Sequence, residues 1–397
     1  MRTGPQGMRT GPEGRLPWLV EAPALHRLGL GALAALATLA VLLRTLPRIV
    51  AIDAAVWQAI LYWRGCRWDV LVDGSVEIAT RVTIGLLTAA TALSLRAAGV
   101  RATWPPLAVC AVGLLAGKVL KNFFARERPS MIPDVALGHS FPSGHVMNTA
   151  LAALALVILA AHLRHRHRWW AAGGVLLAIV GAGRVLLARH WLLDAVAGLL
   201  AALALFGLAL PPFERRPLLA PALLAAALAL VLAADIHARA LEIRLPSPLS
   251  ARGPETTEVA IGAHIGTPVL QGAWEKTDEV FRGGALAWLR GSGTITITLP
   301  ESGAGSVGRA ATAGGAGAVL ALAGRPDVRE RRCLLLRVSV NGRALRPFVP
   351  FVGWREYRLR VPAGTLRPGP NEVRVEIADR EGTPWRFALA YLRIDPG

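Results

Sequence analysis

Cationic and imidazole side chains gather in three short segments, and the first of these is KNFFARERP (121–129). Lys121 and Arg128 are seven residues apart, which is two helical turns, so both project from one face if the helix continues to Arg128. Two cations on one face are expected to bind a single anion between them. The alternative is that these basic residues, at the end of a membrane helix, only extend toward the headgroups.

The second segment, PSGH (142–145), precedes an apolar run that begins at Val146. It predicts a helix start with Ser143 near the cap, where free backbone N–H groups and the positive end of the helix dipole attract an anion. Gly144 lets a ligand approach the backbone closely, and His145 exchanges a proton near neutral pH. The alternative is an ordinary capped helix with an incidental histidine.

The third segment, GRVLLARHWLLD (183–194), contains Asp194, the only acidic residue between positions 142 and 213. His190 lies four residues earlier, so we expect the carboxylate to accept the Nδ1 hydrogen and to direct Nε2 outward. Arg184 adds a third cation. Three cations without matching carboxylates favour an anionic ligand, and guanidinium groups suit phosphate oxygens in particular. A purely structural Asp–His or Asp–Arg pair is the alternative.

Long apolar runs surround these segments. The chain has 397 residues, 53% of them hydrophobic, and a mean hydropathy of +0.45, which excludes an ordinary soluble protein of this size. Each run is about long enough to cross the roughly 30 Å of hydrocarbon in a bilayer. The sequence predicts an all-α membrane helical bundle of about six core spans plus a seventh. The runs cover residues 28–43, 77–95, 104–120, 146–163, 169–188, 191–212 and 217–234.

Basic residues set the predicted topology. Four groups of arginines lie on one side of the predicted membrane bundle, and the positive-inside rule assigns that side to the cytoplasm. The groups lie within residues 1–27, after the second run, in RHRHR (164–168) and after the sixth run. The three segments and everything after residue 235 are then extracytoplasmic, in a multi-pass inner or plasma membrane protein. Residues 53–63 (DAAVWQAILYW) predict an amphipathic helix at the outer interface, with its aromatic side chains at headgroup depth, or else an ordered loop. The net charge of +18 serves topology and lipid contact, and no nucleic-acid partner is expected.

From about residue 256 the apolar runs give way to alternation of apolar and polar residues. Asn341-Gly342 is typical of a tight hairpin, and the Gly/Ala-rich residues 302–325 predict a long flexible connection. The sequence therefore predicts an extracytoplasmic all-β sandwich, and RVSVNG (337–342) with the strands after it resembles galactose-binding-like jelly-roll domains. The alternating segments are 294–300, 334–342, 357–362, 371–379 and 385–395. The predicted divisions are a cytoplasmic segment (1–27), a transmembrane domain (28–212), a seventh span and linker (213–255), and the β domain (256–397).

Together the three segments resemble the three-part signature of the type 2 phosphatidic acid phosphatase family, which includes vanadium haloperoxidases and glucose-6-phosphatase. That signature runs Lys, six residues, Arg-Pro, then Pro-Ser-Gly-His, then Ser-Arg, five residues, His, three residues, Asp. This chain departs from it at one position, where Gly183 replaces the usual serine. The missing hydroxyl removes one hydrogen bond, either to the phosphate or within the site. The resemblance covers about residues 50–212 and implies six spans.

The resemblance implies a role for each site residue. His190 is the nucleophile that forms a phosphohistidine, Asp194 orients and polarises it, and His145 protonates the leaving group and later activates water. The other residues of the signature hold the phosphoryl oxygens. No metal and no cofactor are expected, because three cations supply the electrostatic stabilisation. The phosphate-binding residues are Lys121, Arg128, Ser143, Gly144 and Arg184.

The predicted function is that of an integral membrane phosphatase, which hydrolyses a lipid phosphate or diphosphate at the outer leaflet. Polyprenyl diphosphate, phosphatidate, phosphatidylglycerophosphate and a glycolipid phosphate are all open as substrates. One alternative is phosphoryl transfer to a lipid or sugar acceptor. Another is an inactive, membrane-tethered glycan-binding protein, which only Gly183 favours.

A glycan is the predicted partner of the β domain, because jelly-roll domains of this type often bind sugars at their loop ends. Four tryptophans are either platforms for sugar rings or packing residues of the domain. Three histidines in the predicted cytoplasmic loop are not expected to bind a metal, because they lie among arginines. The tryptophans are Trp274, Trp288, Trp354 and Trp385, and the histidines are His162, His165 and His167.

Overall fold

The computed structural model shows a helical bundle followed by an antiparallel β domain, which confirms the predicted fold class. The helices are α1 (Ala22–Thr45), α2 (Pro47–Trp63), α3 (Trp68–Phe124), α4 (Gly144–Leu159), α5 (Arg166–Leu186), α6 (Leu192–Arg215) and α7 (Ala220–Ala240). The structure describes residues 22–63, 68–129, 139–160, 166–216, 220–241, 243–247, 257–261, 269–281, 284–299, 318–327, 334–351, 354–379 and 383–395.

Six helical segments of the described chain are long and apolar enough to cross a membrane. Two of them, Leu71–Ala97 and Thr103–Phe124, belong to α3, because Gly99 adopts a φ of 77° and interrupts the helical conformation between them. The fourth predicted span is shorter than expected, since α4 has 16 residues. Most of its side chains are buried, because α3, α5 and α6 pack around it. It is therefore the central helix of the bundle.

Small residues bring α6 close to its neighbours. A Cβ atom on Gly198 would lie 2.6 Å from the carbonyl oxygen of Ser143, so α6 touches the start of α4 directly. A Cβ atom on Gly207 would lie 2.5 Å from the carbonyl oxygen of Leu25 on α1. Such small-residue contacts let membrane helices pack backbone to backbone. The first of them places the beginning of α6 beside the PSGH segment.

Helix α2 is the predicted amphipathic helix, but its environment differs from the prediction. Trp57 is buried, with its ring 6.1 Å from that of Trp191 and stacked 5.1 Å from that of Phe351 in the β domain. Only the last aromatic residue, Trp63, is largely exposed, at 86%. Trp57 therefore packs inside the protein rather than at headgroup depth, because the β domain covers this face of α2.

The β domain is a curled antiparallel sheet whose long strand β3 connects its two halves. The first half of β3 pairs with β9, and the second half pairs with β8. Gly291, with a φ of 79°, lies between the two pairings, where a left-handed conformation lets the strand change partners. The strands are β1 (Thr257–Ala260), β2 (Leu270–Phe281), β3 (Gly284–Leu299), β4 (Val319–Pro326), β5 (Leu334–Val340), β6 (Arg343–Ala344), β7 (Arg355–Arg360), β8 (Gly369–Asp379) and β9 (Arg386–Asp395).

In the described part of the chain, all five alternating segments lie in strands or at their ends. Asn341-Gly342 forms the hairpin between β5 and β6, with positive φ at both residues. The predicted connection at 302–325 is wrong in its last part, because β4 pairs with both β7 and β9. Its small residues have a packing role: a Cβ atom on Gly324 would overlap the ring of Phe387. Residues 302–317 lie outside the described chain.

The β domain contacts the bundle at the end where α3 terminates. In the linker after α7, the Ile243 N–H donates to the carbonyl of Phe123 at 2.6 Å, and the Leu245 N–H donates to that of Phe124 at 3.1 Å. The side-chain amide of Gln58 donates to the carbonyl of Arg358, and the Arg346 guanidinium lies 5.0 Å above the ring of Tyr62. The β domain and the end of α3 are therefore on the same side of the bundle.

Candidate active site

The first segment leaves the helical conformation before its second cation. Helix α3 ends at Phe124, and Ala125 has a φ of 35°, so the chain from 125 to 129 is not helical. The expectation that Lys121 and Arg128 share a helical face is therefore wrong. Both side chains still reach one region. Lys121 Nζ lies 3.3 Å from the position that a Cβ atom on Gly144 would take, and Arg128 Nη1 lies 3.4 Å from His190 Nε2.

The PSGH segment forms the start of α4 as predicted. Ser143 is the N-cap residue, and its backbone N–H donates to the carbonyl of Asp194 at 2.8 Å. Its hydroxyl makes no capping hydrogen bond and, within the described chain, is buried without any partner. His145, in the first turn of α4, is exposed. A buried hydroxyl and an exposed imidazole thus flank Gly144, which faces the Lys121 ammonium.

The third segment forms a tight turn between α5 and α6. The carbonyl of Arg184, in the last turn of α5, accepts the N–H groups of Arg189 at 3.0 Å and His190 at 3.2 Å. Ala188 has a φ of 54°, and α6 begins only at Leu192. His190 and Asp194 therefore do not share a helical face as expected. The turn instead presents His190 from a fixed backbone, with only 2% of the residue exposed.

The hydrogen bonds of His190 identify its tautomer. Nδ1 lies 2.9 Å from the carbonyl oxygen of Ser140 and 3.7 Å from Asp194 Oδ2. Because a carbonyl oxygen only accepts hydrogen bonds, Nδ1 carries the hydrogen and Nε2 carries the lone pair. The carboxylate was expected to accept the Nδ1 hydrogen, but Ser140 provides the nearer acceptor. The lone pair of Nε2 is directed toward Arg128.

Burial keeps His190 neutral. The pKa of His190 is lowered to about 4, mainly because the side chain is buried; the Asp194 carboxylate opposes this shift, and the positive charge of Arg128 contributes to it. At neutral pH the imidazole is therefore uncharged and its lone pair is available.

The carboxylate of Asp194 is held by an arginine that the sequence analysis missed. Arg126 Nη1 donates to Asp194 Oδ1 at 2.7 Å, and Arg126 Nη2 donates to Asp53 Oδ2 at 2.7 Å. The Trp191 N–H donates to Asp194 Oδ2 at 3.0 Å. All three charged side chains are fully buried. The available signal was the additional arginine within KNFFARERP, together with an aspartate inside the apolar sequence of α2.

The departure from the family signature at Gly183 has a packing explanation. A Cβ atom there would overlap the Cγ2 methyl of Val76 on α3 and would lie 3.5 Å from Val72 Cγ1. The position therefore faces the interface between α5 and α3. Arg184, the next residue, is half-buried, and its Nε has no hydrogen-bond partner within the described chain.

The site thus combines an anion-binding environment with a neutral imidazole. Lys121, Arg128 and Arg184 contribute positive charge, and Ser143 contributes an unused hydroxyl. Among the described residues, no cluster of three or more His, Cys, Asp or Glu side chains is placed to hold a metal ion. His162, His165 and the side chain of His167 lie outside the described part of the structure.

The tryptophans of the β domain serve its packing. Trp288 is buried, with the guanidinium groups of Arg325 and Arg386 at 5.0 and 4.8 Å from its ring. The other three are partly buried against the core of the domain. This arrangement favours the packing alternative over exposed sugar platforms. Those three are Trp274, Trp354 and Trp385.

Comparison with known proteins relates the site to a family. Residues 102–217, which include every predicted site residue, match the family model described as the PAP2 superfamily. Phosphatidylglycerophosphatase B of Bacillus subtilis (strain 168) is 36% identical over 115 residues, which cover 27% of this chain and 57% of that relative. The chain therefore spans little more than half the length of that curated relative. The resemblance predicted from the three segments is confirmed.

Solved structures similar to the two parts of the chain were also found. The crystal structure of the first transmembrane PAP2 type phosphatidylglycerolphosphate phosphatase from Bacillus subtilis has 26% sequence identity and a TM-score of 0.42, covering 47% of this chain and 96% of that one. The CBM36-1 domain of a multidomain xylanase from the hindgut metagenome of Trinervitermes trinervoides has 12% identity and a TM-score of 0.25. That match covers 36% of this chain and 98% of the other.

Proposed function

We propose that the PAP2 superfamily domain of this chain is a membrane phosphatase, which hydrolyses a lipid phosphate or diphosphate at the outer leaflet through a phosphohistidine. The domain extends over residues 28–212 in this proposal. The observation that carries this proposal is the hydrogen bonding of His190. Its Nδ1 donates to the Ser140 carbonyl, and its Nε2, which has the lone pair, lies 3.4 Å from Arg128 Nη1. A neutral, oriented imidazole beside a cation is suited to attack phosphorus in a bound phosphate.

In the first step, His190 Nε2 attacks the phosphorus atom and forms a P–N bond. The P–O bond to the lipid breaks, and its electron pair stays on the departing oxygen, which takes a proton from His145. His145 lies in the first turn of α4, and its side chain is exposed. Partial desolvation and the nearby Arg184 guanidinium lower its pKa to about 3, so we propose that the negative charge of the bound phosphate raises the pKa enough for His145 to carry this proton. The His190 imidazole becomes positively charged in this step, and the Asp194 carboxylate at 3.7 Å from Nδ1 stabilises that charge.

In the second step, a water molecule attacks the phosphohistidine and passes a proton to the now neutral His145. The P–N bond breaks, its electron pair returns to Nε2, and inorganic phosphate leaves. Because His145 first gives and then receives a proton, the cycle restores the starting state of both histidines.

The remaining signature residues bind the phosphoryl oxygens. Lys121, Arg128 and Arg184 neutralise the charge that spreads over these oxygens in the transition state. The buried Ser143 hydroxyl has no protein partner within the described chain, so a phosphate oxygen is its proposed acceptor. The Gly144 N–H at the start of α4 adds a backbone donor. These groups do the electrostatic work without a metal ion or another cofactor.

The comparisons and the charge pattern support a choice of substrate and of location. The 36% identical relative is named a phosphatidylglycerophosphatase, so phosphatidylglycerophosphate is the first substrate to test, with phosphatidate and polyprenyl diphosphate beside it. The arginine distribution supports an extracytoplasmic site in the inner or plasma membrane. The β domain lies on the same side of the bundle as the end of α3, so it is proposed to be extracytoplasmic as well. A glycan is its proposed ligand because of the resemblance to galactose-binding-like jelly-roll domains; since the four tryptophans serve packing, other residues of the domain would bind the sugar.

The test is a phosphate-release assay on the full-length protein in detergent, with the three substrates and with EDTA present. We expect phosphate from at least one substrate, with EDTA having no effect. His190→Ala should lose at least about 10³-fold in kcat, because the nucleophile is gone. The matched control is His237→Ala, which should keep full activity. His237 is an exposed residue of α7, and among the described residues its Nδ1 contacts the Ala233 carbonyl four residues earlier.

Product analysis separates hydrolysis from the two alternatives. In H₂¹⁸O, a hydrolase releases phosphate that contains ¹⁸O, whereas a phosphotransferase releases unlabelled phosphorylated acceptor when a lipid or sugar alcohol is added. If His190→Ala keeps its turnover, the assignment of the nucleophile is wrong. If the wild-type protein releases no phosphate from any substrate, the protein is not a phosphatase of these lipids. That result would favour the alternative of an inactive glycan-binding protein.

A further inference from the structure

We propose that Arg126 and Asp53 are positioning residues for the His190–Asp194 pair, an inference that rests on the proposed function. Neither residue belongs to the three-part signature. They come from two different elements: Asp53 from α2, and Arg126 from the non-helical segment after α3. Both side chains are completely buried, yet both are charged.

The contacts of Arg126 exclude a role in phosphate binding. Nη1 donates to Asp194 at 2.7 Å, Nη2 donates to Asp53 at 2.7 Å, and Nε donates to the carbonyl of Pro246 at 2.9 Å. Its guanidinium also lies 5.9 Å from the ring centre of Trp191. All three nitrogens are engaged with the protein, and no part of the side chain reaches solvent. Arg126 thus differs from Arg128, which faces the nucleophile.

These contacts fix the orientation of Asp194. With Oδ1 held by Arg126, the other oxygen, Oδ2, faces the Trp191 N–H at 3.0 Å and His190 Nδ1 at 3.7 Å. Asp53 completes the arrangement from the other side, because its Oδ1 accepts the N–H of Leu193 at 3.0 Å in the first turn of α6. Helix α2 therefore stabilises the start of the helix that carries Asp194.

The charges of Asp53, Arg126 and Asp194 also favour a positioning role. Two buried carboxylates and one guanidinium carry a net charge of −1 when all are ionised. In the proposed mechanism His190 becomes positively charged as it attacks phosphorus, which makes the whole group neutral. Replacing Asp53 by asparagine leaves Arg126 and Asp194 as a neutral pair, so a positive imidazole is stabilised less. Asp53 thus acts on the reaction through Arg126 without touching the substrate.

The test compares Asp53→Asn and Arg126→Lys with the wild-type protein. Asp53→Asn keeps the shape of the side chain and removes its charge, and Arg126→Lys keeps the charge but does not bridge two carboxylates. We expect each variant to lose about 10- to 100-fold in kcat, as is typical when a partner that orients a reacting group is removed. KM should change less than about threefold, because no phosphate contact is lost.

A stability control separates positioning from a general structural effect. Thr103→Val removes the 2.9 Å hydrogen bond from the Thr103 hydroxyl to that of Ser94, a buried contact near Gly99, far along α3 from Lys121. It should lower the unfolding temperature in detergent but leave kcat unchanged. If Asp53→Asn is folded and its kcat is unchanged, or if KM rises while kcat stays constant, the positioning role is refuted.

A spectroscopic readout distinguishes this inference from the proposed function. In protein with ¹⁵N-labelled histidine, the wild-type His190 signals should show a hydrogen on Nδ1. In the Asp53→Asn variant the pKa of His190 should fall, because a nearby negative charge that favours the protonated imidazole is removed. An unchanged pKa overturns the positioning role even if the protein is an active phosphatase. A pKa that falls in a protein without phosphatase activity supports the positioning role while the proposed function fails.

Discussion

Serine at position 183, the residue usual in the family, should destabilise this protein rather than improve it. A Cβ atom on Gly183 would overlap Val76 Cγ2 and approach Val72 Cγ1 to 3.5 Å. Val76 has no room to move away, because only 3% of it is exposed and its β-branched side chain is restricted to few rotamers on a helix. Helix α5 must therefore shift away from α3 to accept the new side chain.

The size of the effect follows from this geometry. Adding atoms to a well-packed interior costs about 1–3 kcal/mol, and the backbone shift required here places Gly183→Ser within that range. Val76→Ala removes the overlapping methyl group, so Gly183→Ser should cost less in that background. The two changes should couple by about 1–2 kcal/mol in a double-mutant cycle. Gly174→Ser is the matched control, because the same substitution on the same helix meets no atom within 4 Å.

Thermal unfolding in detergent, together with phosphate release, measures both consequences. We expect Gly183→Ser to unfold at a lower temperature than Gly174→Ser and to gain no activity over the wild-type protein. A stable Gly183→Ser protein with at least tenfold higher kcat/KM would refute the reasoning. It would show that the serine hydroxyl contributes to phosphate binding and that glycine marks a weakened site.

Two further predictions concern His190, the proposed nucleophile, and the contact between the β domain and α2. The acid limb of the kcat/KM profile should lie near pH 4, well below the ordinary histidine pKa of about 6.5. The reason is that burial lowers the pKa of His190 and that, in the proposed mechanism, only the neutral imidazole attacks. An acid limb near pH 6.5, after correction for the ionisation of the substrate, contradicts this prediction. Phe351→Ala should lower the free energy of unfolding by about 3–5 kcal/mol in denaturant titrations, because it removes a buried ring that stacks on Trp57 and leaves a cavity. Trp63→Ala, which removes an exposed aromatic side chain, should have little effect.

The structure brings the predicted site residues to one region, but with a different backbone from the one that the sequence predicted. Helix periodicity placed Lys121 with Arg128, and His190 with Asp194, on common helical faces. The helix before Arg128 ends at Phe124, and the helix after His190 begins at Leu192. In both cases the segment folds through a residue with positive φ, Ala125 or Ala188. Alanine at these positions resembles a helical residue in sequence, so periodicity alone did not indicate the turns.

Contacts between distant elements were not predictable from local pattern. The pairing of Arg126 with Asp53 joins residues 73 positions apart, and a single sequence contains no signal for the partner of either one. Strand β4 was missed for a similar reason. Its alanines and Gly324 resemble a flexible linker in sequence, whereas in the strand the ring of Phe387 fills the space above Gly324.

The linker after α7 makes the candidate active site depend on the C-terminal half of the chain. Pro246 supplies the acceptor for Arg126 Nε, and the backbone of residues 243–245 completes the hydrogen bonds of Phe123 and Phe124. A protein shortened after α6 would lose the acceptor of the Arg126 Nε hydrogen, on the side chain that holds the Asp194 carboxylate. The six-span portion and the β domain are consequently not interchangeable modules, and chimeras that exchange the β domain should retain residues 243–247 with the bundle.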